Sequence, residues 1–361
     1  MEGKKIKNRW AVLFCICCNT FCFGGVYAWS AFSGELAEFM GWDYGKVTLA
    51  YSVMLMTIAI MGLVGGMLLQ RFGARKLMIV AGIMWGIGWF LTGRATSLVM
   101  LYGCFGIMAG SGMAVGICGM ASLIVAPLAN FLLTKFDVMT AFQMIGGLFL
   151  LISLSTSWYI DGPPENWKPE GYEPKVKAAA GGGKTWREVL KDPRCYLLWA
   201  TLLCASVAGL TAAQAALLVG IMAVANFVGR LVLGTLSDTV GRHQVVIGVM
   251  LLCALDMVFL ANVSSFGGFV AAIVITGGCF GGTLATFSAL SSDTFGPKYN
   301  GINYSIIFTG YGIASIVGPN MATSIKASTG SYSGAFIFAA VCSLIAAALC
   351  FSAKCLNKKM N

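Results

Sequence analysis

Charged residues are scarce in this chain. Its 24 basic and 14 acidic residues make up 11% of 361, about half the fraction that soluble domains carry. They lie between about ten long stretches that are nearly uncharged, such as residues 47–70. A helix needs about 20 apolar residues to cross a bilayer, and lipid offers the backbone no hydrogen-bond partners. This scarcity excludes an ordinary soluble protein and predicts an all-α polytopic membrane protein.

The chain also lacks the residue sets that enzymes use. Its only histidine is His243, and we find no Ser-His-Asp set, phosphate-binding loop or metal-binding cluster. The 13 cysteines follow no framework spacing, and neither histidine nor acid accompanies Cys15, Cys17 and Cys18. We therefore expect reduced thiols, no enzymatic activity, no cofactor and no metal.

The net charge of +10 does not indicate a nucleic-acid partner. The basic residues cluster beside apolar segments, near the N-terminus, at residues 71–76 and near the C-terminus. Cytoplasmic loops of membrane proteins carry such an excess. The sequence thus predicts a multi-pass protein of the cell (inner or plasma) membrane with both termini cytoplasmic. The basic start precedes a long apolar run without a small-residue cleavage site, so we expect no cleavable signal peptide.

Apolar runs predict ten or twelve membrane crossings. Residues 98–133 would make one helix of about 54 Å, too long for one crossing, yet each half is barely long enough alone. Residues 195–233 contain a polar break at Thr211–Gln214, which leaves a first half of about 16 residues. Each stretch forms either a pair of short membrane-crossing helices or one bent helix that crosses once. The clear spans are 10–31, 47–69, 77–96, 141–160, 244–263, 267–288, 302–324 and 333–353.

Residues 161–194 divide the hydrophobic mass into two comparable parts. The segment contains prolines and a Gly-Gly-Gly run, and its basic residues crowd its second half. We interpret it as a cytoplasmic linker that ends in an amphipathic helix on the membrane surface. The expected domains are an N-terminal bundle (1–160), this linker (161–194) and a C-terminal bundle (195–361).

Each part carries a similar short loop motif. Both motifs have a Gly four residues before a polar position, and a Gly and a basic residue beyond it. Two like halves are typical of transporters whose halves rock around a central site. The first motif contains Gly66, Arg71, Gly73, Arg75 and Lys76, and the second contains Gly234, Asp238, Gly241 and Arg242.

These loops resemble the signature loop of the major facilitator superfamily, Gly-x-x-x-Asp-Arg-x-Gly-x-Arg-Arg. The second copy keeps Asp238 but has Thr239 for the Arg, and the first has Gln70 for the acid. Other segments resemble the oxalate/formate antiporter branch, within the monocarboxylate transporter-like group. They are GGVYAWSAF at 24–32, DGPPENWKP at 161–169, ANFVGRLVLGTLSD at 225–238 and SSDTFGPKYNGINYS at 291–305.

The resemblance implies a two-bundle fold of nominally twelve helices. The chain departs from that pattern where spans 4/5 and 7/8 are shortened, as if by two internal deletions. In the motif loops, Asp238 would pair with a basic group or a helix N-terminus and hold the cytoplasmic side shut. The motif glycines would permit turns and close approach; the alternative is a charge cluster that sets topology only.

Arg230 is the sharpest candidate for a binding residue, because its charge stands in an apolar run. Either it snorkels towards the Asp238 loop, or it clamps a carboxylate with its guanidinium. The resemblance favours the clamp, since Arg230 aligns with the substrate-binding arginine of the antiporters. Asn226 lies one turn earlier on the same face. Where the antiporters have a lysine, this chain has Tyr311, which suits a monocarboxylate better than a dianion.

Four further aromatic residues align with the walls of the antiporter cavity: Tyr27, Trp29, Phe280 and Phe308. Packing and interface anchoring are the alternative roles of such residues. Asp256 stands in the middle of a span, where an acid is a candidate proton carrier. We favour a helix–helix hydrogen bond for it, because the fold would place its span outside the transport pathway.

The sequence as a whole predicts a secondary active transporter of a small organic anion that works by alternating access. Its partners would be that anion, a proton or counter-anion, and the bilayer, and we expect a monomer. The alternative is an internally deleted, non-transporting protein of the same family.

Overall fold

The computed structural model describes residues 29–115, 132–133, 135–160, 183–215 and 219–360, and single residues between 11 and 26. Every regular element in these ranges is a helix, as the scarcity of charge and the length of the apolar runs predict. The chain divides into two compact units, Met1–Gly181 (unit 1) and Gly182–Asn361 (unit 2). Each unit is described by itself below.

Unit 1 is built around the pairing of two helices, α3 and α6. Successive turns of α3 present Trp85 and Trp89, which are fully buried. Glycines allow the two backbones to approach: a Cβ on Gly146 of α6 would overlap the backbone of Phe90. The helices are α1 (Trp29–Met40), α2 (Tyr44–Phe72), α3 (Ala74–Thr92), α4 (Leu98–Leu101), a π-helical segment (Tyr102–Ala109), α5 (Gly110–Val115) and α6 (Val138–Ser157).

The described residues of unit 2 form six long helices. In it α9 packs along α11, α8 packs against α12 and α13, and α10 packs against α11 and α13. The helices are α7 (Trp186–Val189), α8 (Pro193–Ala215), α9 (Val219–Val240), α10 (Arg242–Asn262), α11 (Phe266–Phe295), α12 (Asn300–Thr329) and α13 (Ser333–Met360).

Seven helices in the described residues are long and apolar enough to cross a membrane: α2, α3, α6, α8, α10, α11 and α13. The stretch 195–233 contains two helices, of 23 and 22 residues, rather than one bent span. The expected first half of 16 residues was too short, because α8 continues to Ala215, past the polar positions 211–214. In the other ambiguous stretch, residues 98–115 are helical and residues 116–131 lie outside the described residues.

The linker lies outside the described residues between 161 and 182. Its described end contains a helix of only one turn, α7, with a capping box between Thr185 and Glu188. The spanning helix α8 then begins at Pro193, so Arg194 and the residues that follow belong to that helix. Proline is well suited to this position, since the first helical residue needs no intrahelical N–H bond.

Candidate functional site

Arg230 lies near the middle of α9 and is partly buried. Its Nε donates a hydrogen bond of 3.0 Å to Oδ1 of Asn226, one turn earlier, as the shared helix face predicts. The Asn226 side chain is buried. A guanidinium carries five N–H donors in a fixed fork, and this bond engages the Nε–H donor and orients the fork. The pair is an oriented cation within an apolar helix.

The backbone beneath this pair is held by a close contact between α9 and α11. A Cβ on Gly281 of α11 would overlap the backbone of Asn226, and a Cβ on Gly229 of α9 would overlap the backbone of Gly278. We call this contact, formed by Asn226, Gly229, Gly278 and Gly281, the glycine seam. Gly229 and Gly281 must be glycine because a Cβ at either position would overlap the facing backbone, and the contact fixes where α9 presents Arg230.

Three of the predicted aromatic residues meet in unit 2. The rings of Phe280 and Tyr311 lie parallel with centroids 6.2 Å apart, and those of Tyr311 and Phe308 stack at 4.7 Å. Tyr311 and Phe280 are both buried. Phe280 also rests on α8, where a Cβ on Gly209 would overlap its ring. We call Phe280, Tyr311 and Phe308 the ring stack; α11, which carries Phe280, also packs on the helix of Arg230.

The other two predicted aromatic residues belong to unit 1. Tyr27 lies outside the described residues. Trp29 is 4% exposed and stacks on Phe105 of the π-helical segment, with centroids 4.0 Å apart. Its indole N–H has no hydrogen-bond partner among the described residues. Trp29 is thus part of a buried aromatic core that also contains Phe32, Trp89 and Phe142.

The first motif loop is a single glycine between two helices. Gly73 has φ +76°, a left-handed conformation that glycine adopts without strain, and it separates α2 from α3. Arg75 Nε donates a bond of 3.0 Å to the carbonyl of Ile160, just beyond α6. The Arg71 guanidinium lies 5.4 Å from the ring centroid of Phe72. Lys76 is exposed in the first turn of α3, and Gly66 lies within α2.

The second motif loop has the same backbone form and a richer charge network. Gly241 has φ +106° and separates α9 from α10. Arg242 pairs with Asp238 (2.7 Å) and with Asp293 at the end of α11 (2.9 Å), and it donates to the hydroxyl of Ser237. Asp238 therefore has the basic partner that the sequence predicts. A Cβ on Gly234 would meet nothing within 4 Å, so this glycine makes no close approach within its unit.

Sequence reasoning missed a buried ion network at the start of α8. Asp192 and Arg194 are each 4% exposed and pair at 2.7 Å, and Lys184 reaches Asp192 at 2.6 Å. Arg194 also donates to Oδ1 of Asn357 near the end of α13. Burial alone would raise the pKa of Asp192, but hydrogen bonds from Arg194 and Lys184 lower it to about 2. The sequence Asp-Pro before an apolar helix was the available signal, since it marks a capped helix start.

The hydrogen bond expected at Asp256 is present. Oγ1 of Thr276 on α11 donates to Oδ2 of Asp256 on α10 at 2.5 Å, and both residues are buried. The acid thus joins two neighbouring helices of unit 2.

Comparison with known proteins points to one superfamily. Residues 208–354 match the family model of the Major Facilitator Superfamily. An uncharacterized MFS-type transporter of Escherichia coli, YhjX, is 28% identical over 356 residues, covering 86% of each chain. The oxalate:formate antiporter of Oxalobacter formigenes is 24% identical over 386 residues, covering 95% of this chain and 91% of the antiporter.

A solved structure supports the same fold. The crystal structure of the fucose:proton symporter of Escherichia coli superposes with a TM-score of 0.62, over 94% of this chain and 98% of the symporter, at 12% identity. These matches confirm the resemblance that the loop motifs indicated, and they confirm the predicted all-helical fold.

Proposed function

We propose that this chain, which is similar to major facilitator superfamily transporters in sequence and fold, is a secondary transporter of a small organic anion. The proposed substrate is a monocarboxylate, carried by alternating access. Among its relatives is a protein described as an oxalate:formate antiporter, whose two named substrates are carboxylates. Multi-pass insertion in the cell membrane with both termini cytoplasmic belongs to the same proposal.

The observation that carries the proposal is the oriented guanidinium of Arg230. A charge within an apolar span costs several kcal/mol unless it has a partner. The bond from Nε to Oδ1 of Asn226 orients the fork. A carboxylate binds such a fork with two parallel N–H···O bonds, which lysine cannot reproduce. Arg230 is accordingly the proposed carboxylate clamp, and Asn226 positions it.

The ring stack supports a singly charged substrate. Tyr311 stands where the antiporters that the chain resembles have a lysine, and it is stacked between Phe280 and Phe308. One cation neutralises one carboxylate, whereas a second carboxylate would be buried beside aromatic rings without a counter-charge. We therefore propose formate, lactate or pyruvate as the substrate class, in preference to oxalate. Trp29 and Tyr27 remain predicted contributors from unit 1.

Uptake of labelled formate, lactate and pyruvate into vesicles that contain the purified chain tests the proposal. Arg230→Lys should lower uptake per protein about 10- to 100-fold, since hydrogen bonds to charged groups contribute about 1.5–3 kcal/mol. The matched control is Arg94→Lys, because Arg94 is exposed at the end of α3. Equal uptake by the Arg230→Lys variant and the wild type would refute the clamp. Wild-type uptake no higher than in protein-free vesicles would favour the non-transporting alternative.

A further inference from the structure

The short helix α7 and the turn after it expose a row of apolar side chains and a row of basic ones. Trp186 and Leu190 are both exposed, and the N–H of Leu190 donates to the carbonyl of Trp186, so the two stand one turn apart on the same side. Arg187 and Lys191 each follow one of them in sequence and are exposed as well. The guanidinium of Arg187 lies 5.1 Å from the ring centroid of Trp186. Neighbouring apolar and basic rows are typical of a segment that contacts a membrane surface.

Hydrogen bonds hold these rows at one end of unit 2, next to the start of α8. The hydroxyl of Tyr196, an exposed side chain of α8, donates to the carbonyl of Leu190 at 2.8 Å. On the other side of α7, the N–H of Lys184 donates to the carbonyl of Phe295 at the end of α11 at 2.7 Å. The helix α8 begins at Pro193 and is long and apolar enough to cross a membrane. The exposed rows therefore lie at the level of the lipid headgroups.

This segment carries a surplus of positive charge that its own acids do not compensate. Four basic and two acidic residues lie between positions 184 and 194. Glu188 accepts hydrogen bonds in the capping box of α7, and Asp192 is buried in the ion network at the start of α8. Neither Arg187 nor Lys191 forms an ion pair with another residue that the structure describes. The exposed surface of the segment is therefore positive and suits an anionic partner.

The end of α13 brings further basic residues to the same end of unit 2. Arg194 donates to Asn357 at 2.5 Å, so the last turns of α13 lie beside the start of α8. Lys358 and Lys359 follow Asn357 and are exposed. At the opposite end of unit 2, Lys326 near the end of α12 is the only charged residue among those that the structure describes. Anionic lipids attract basic residues that cluster at one membrane surface in this way.

We propose that a surface of five residues at this end binds the headgroups of anionic phospholipids in the surrounding bilayer. We call it the linker patch; it consists of Trp186, Arg187, Leu190, Lys191 and Tyr196. The guanidinium and the ammonium donate hydrogen bonds to phosphate oxygens. The rings of Trp186 and Tyr196 lie among the headgroups, and Leu190 contacts the upper part of the acyl chains. The lipid is a ligand of the linker end and is separate from the transported substrate.

Photocrosslinking of the full chain in phosphatidylcholine nanodiscs tests the proposal. The probe is a trace of phosphatidylglycerol with a photoactivatable headgroup, and peptide mass spectrometry locates crosslinks within residues 184–203. At trace concentration the yield follows the affinity. Arg187→Gln/Lys191→Gln removes both cations of the linker patch and should lower the yield about 10- to 30-fold. The matched control is Arg94→Gln/Lys326→Gln, which removes two exposed cations that also lie over aromatic rings. It should retain the wild-type yield.

Competition identifies the source of the bound headgroup. Unlabelled phosphatidylglycerol should displace the probe from the wild type, and an equal amount of added phosphatidylcholine should not. Displacement by inorganic phosphate at the same concentration would overturn the proposal, because it would indicate a site for free phosphate. Equal displacement by the two lipids would also overturn it, because the patch would then not distinguish anionic from zwitterionic headgroups.

Two further outcomes would contradict the linker patch. One is a yield from Arg187→Gln/Lys191→Gln equal to that of the wild type, and the other is an equal loss in the control variant. Should the first variant fail to fold, the salt dependence of the wild type decides, because about 1 M salt screens exposed charges beyond about 3 Å. The yield should then fall, and an unchanged yield contradicts the proposal. These measurements need no transport, so they succeed or fail separately from the proposed function.

Discussion

The two units place their polar side chains differently. In the described part of unit 1, the buried polar side chains are all uncharged, and the centre is filled with rings of Trp29, Trp85, Trp89, Phe105 and Phe142. Unit 2 buries Asp192, Arg194 and Asp256 and half-buries Arg230, whereas close contacts at glycines occur in both units. The phenyl rings need no hydrogen-bond partner, and the buried indole N–H groups of Trp29, Trp85 and Trp89 have none among the described residues. Buried charges, in contrast, must be positioned and satisfied. The described part of unit 1 is thus built as a packed aromatic core, and unit 2 carries the buried and half-buried charges, among them the proposed anion-binding residue Arg230.

Breaking the ion network of unit 2 should have the largest effect on stability. Asp192→Asn leaves Arg194 buried without its counter-charge, which we expect to cost about 3–5 kcal/mol. Thermal unfolding in detergent measures the loss, and Lys191→Gln, next to it and exposed, is the control. An Asp192→Asn variant as stable as the wild type would show that the network does not stabilise unit 2.

The same network predicts a pH dependence with a definite sign. The folded pKa of Asp192 is about 2, below its ordinary value of 3.8. Its contribution to stability is therefore complete above pH 3.8 and declines as the pH falls towards 2. The difference between wild type and Asp192→Asn should shrink over that window. A difference that grows on acidification would contradict the assignment.

A cavity in the aromatic core of unit 1 should be nearly as damaging. Trp89→Ala removes a fully buried ring that contacts Phe105, Phe142 and Phe149, and we expect a loss of about 3–5 kcal/mol. Trp158→Ala is the control, because that side chain is 73% exposed. Comparable melting temperatures for the two variants would mean that the rings do not form a stabilising core.

Within the glycine seam, Gly281 should tolerate an added methyl group less well than Gly278. Gly281→Ala pushes a methyl group into the backbone of Asn226, and overpacking of this kind costs about 1–3 kcal/mol. Gly278→Ala, three residues earlier on α11, meets only an ordinary contact of 3.7 Å and should be milder. Pyruvate uptake should fall more for Gly281→Ala, because the seam positions Arg230. Uptake that falls equally in both variants would show that the tight contact at Gly281 does not position Arg230.

Removing a helix cap should have the smallest effect on stability, and each unit offers one cap for a matched comparison. Asp137 accepts the N–H of Thr140 at the start of α6, and Ser265 accepts that of Gly268 at the start of α11. Replacing either with Ala should cost about 1 kcal/mol. Hydrogen bonds from Thr140 hold the pKa of Asp137 below 3.8, so its contribution is lost as the pH falls through that lowered value. The Ser265 contribution should not change with pH.

The sequence predicts the helical fold well because lipid leaves the backbone few options. The scarcity of charge and the length of the apolar runs suffice to predict the helices. The two loop motifs place Gly73 and Gly241 between consecutive helices. The break at Thr211–Gln214 was misleading because polar residues do not end a helix when its backbone bonds persist. The hydrogen bond between Arg230 and Asn226 could be predicted, because residues four positions apart lie on the same face of a helix. The ring stack and the network of Arg194 with Asn357 join helices distant in sequence, so no local pattern encodes them.

Binding of pyruvate to the purified chain tests the central claim most directly. Isothermal titration should find binding to the wild type and to Arg94→Lys, and affinity about 10- to 100-fold weaker for Arg230→Lys. Asn226→Ala should weaken binding less, since it loosens the guanidinium without removing it. Equal affinity of the wild type and Arg230→Lys for pyruvate would contradict the account, because it would leave the anion without its proposed partner in unit 2.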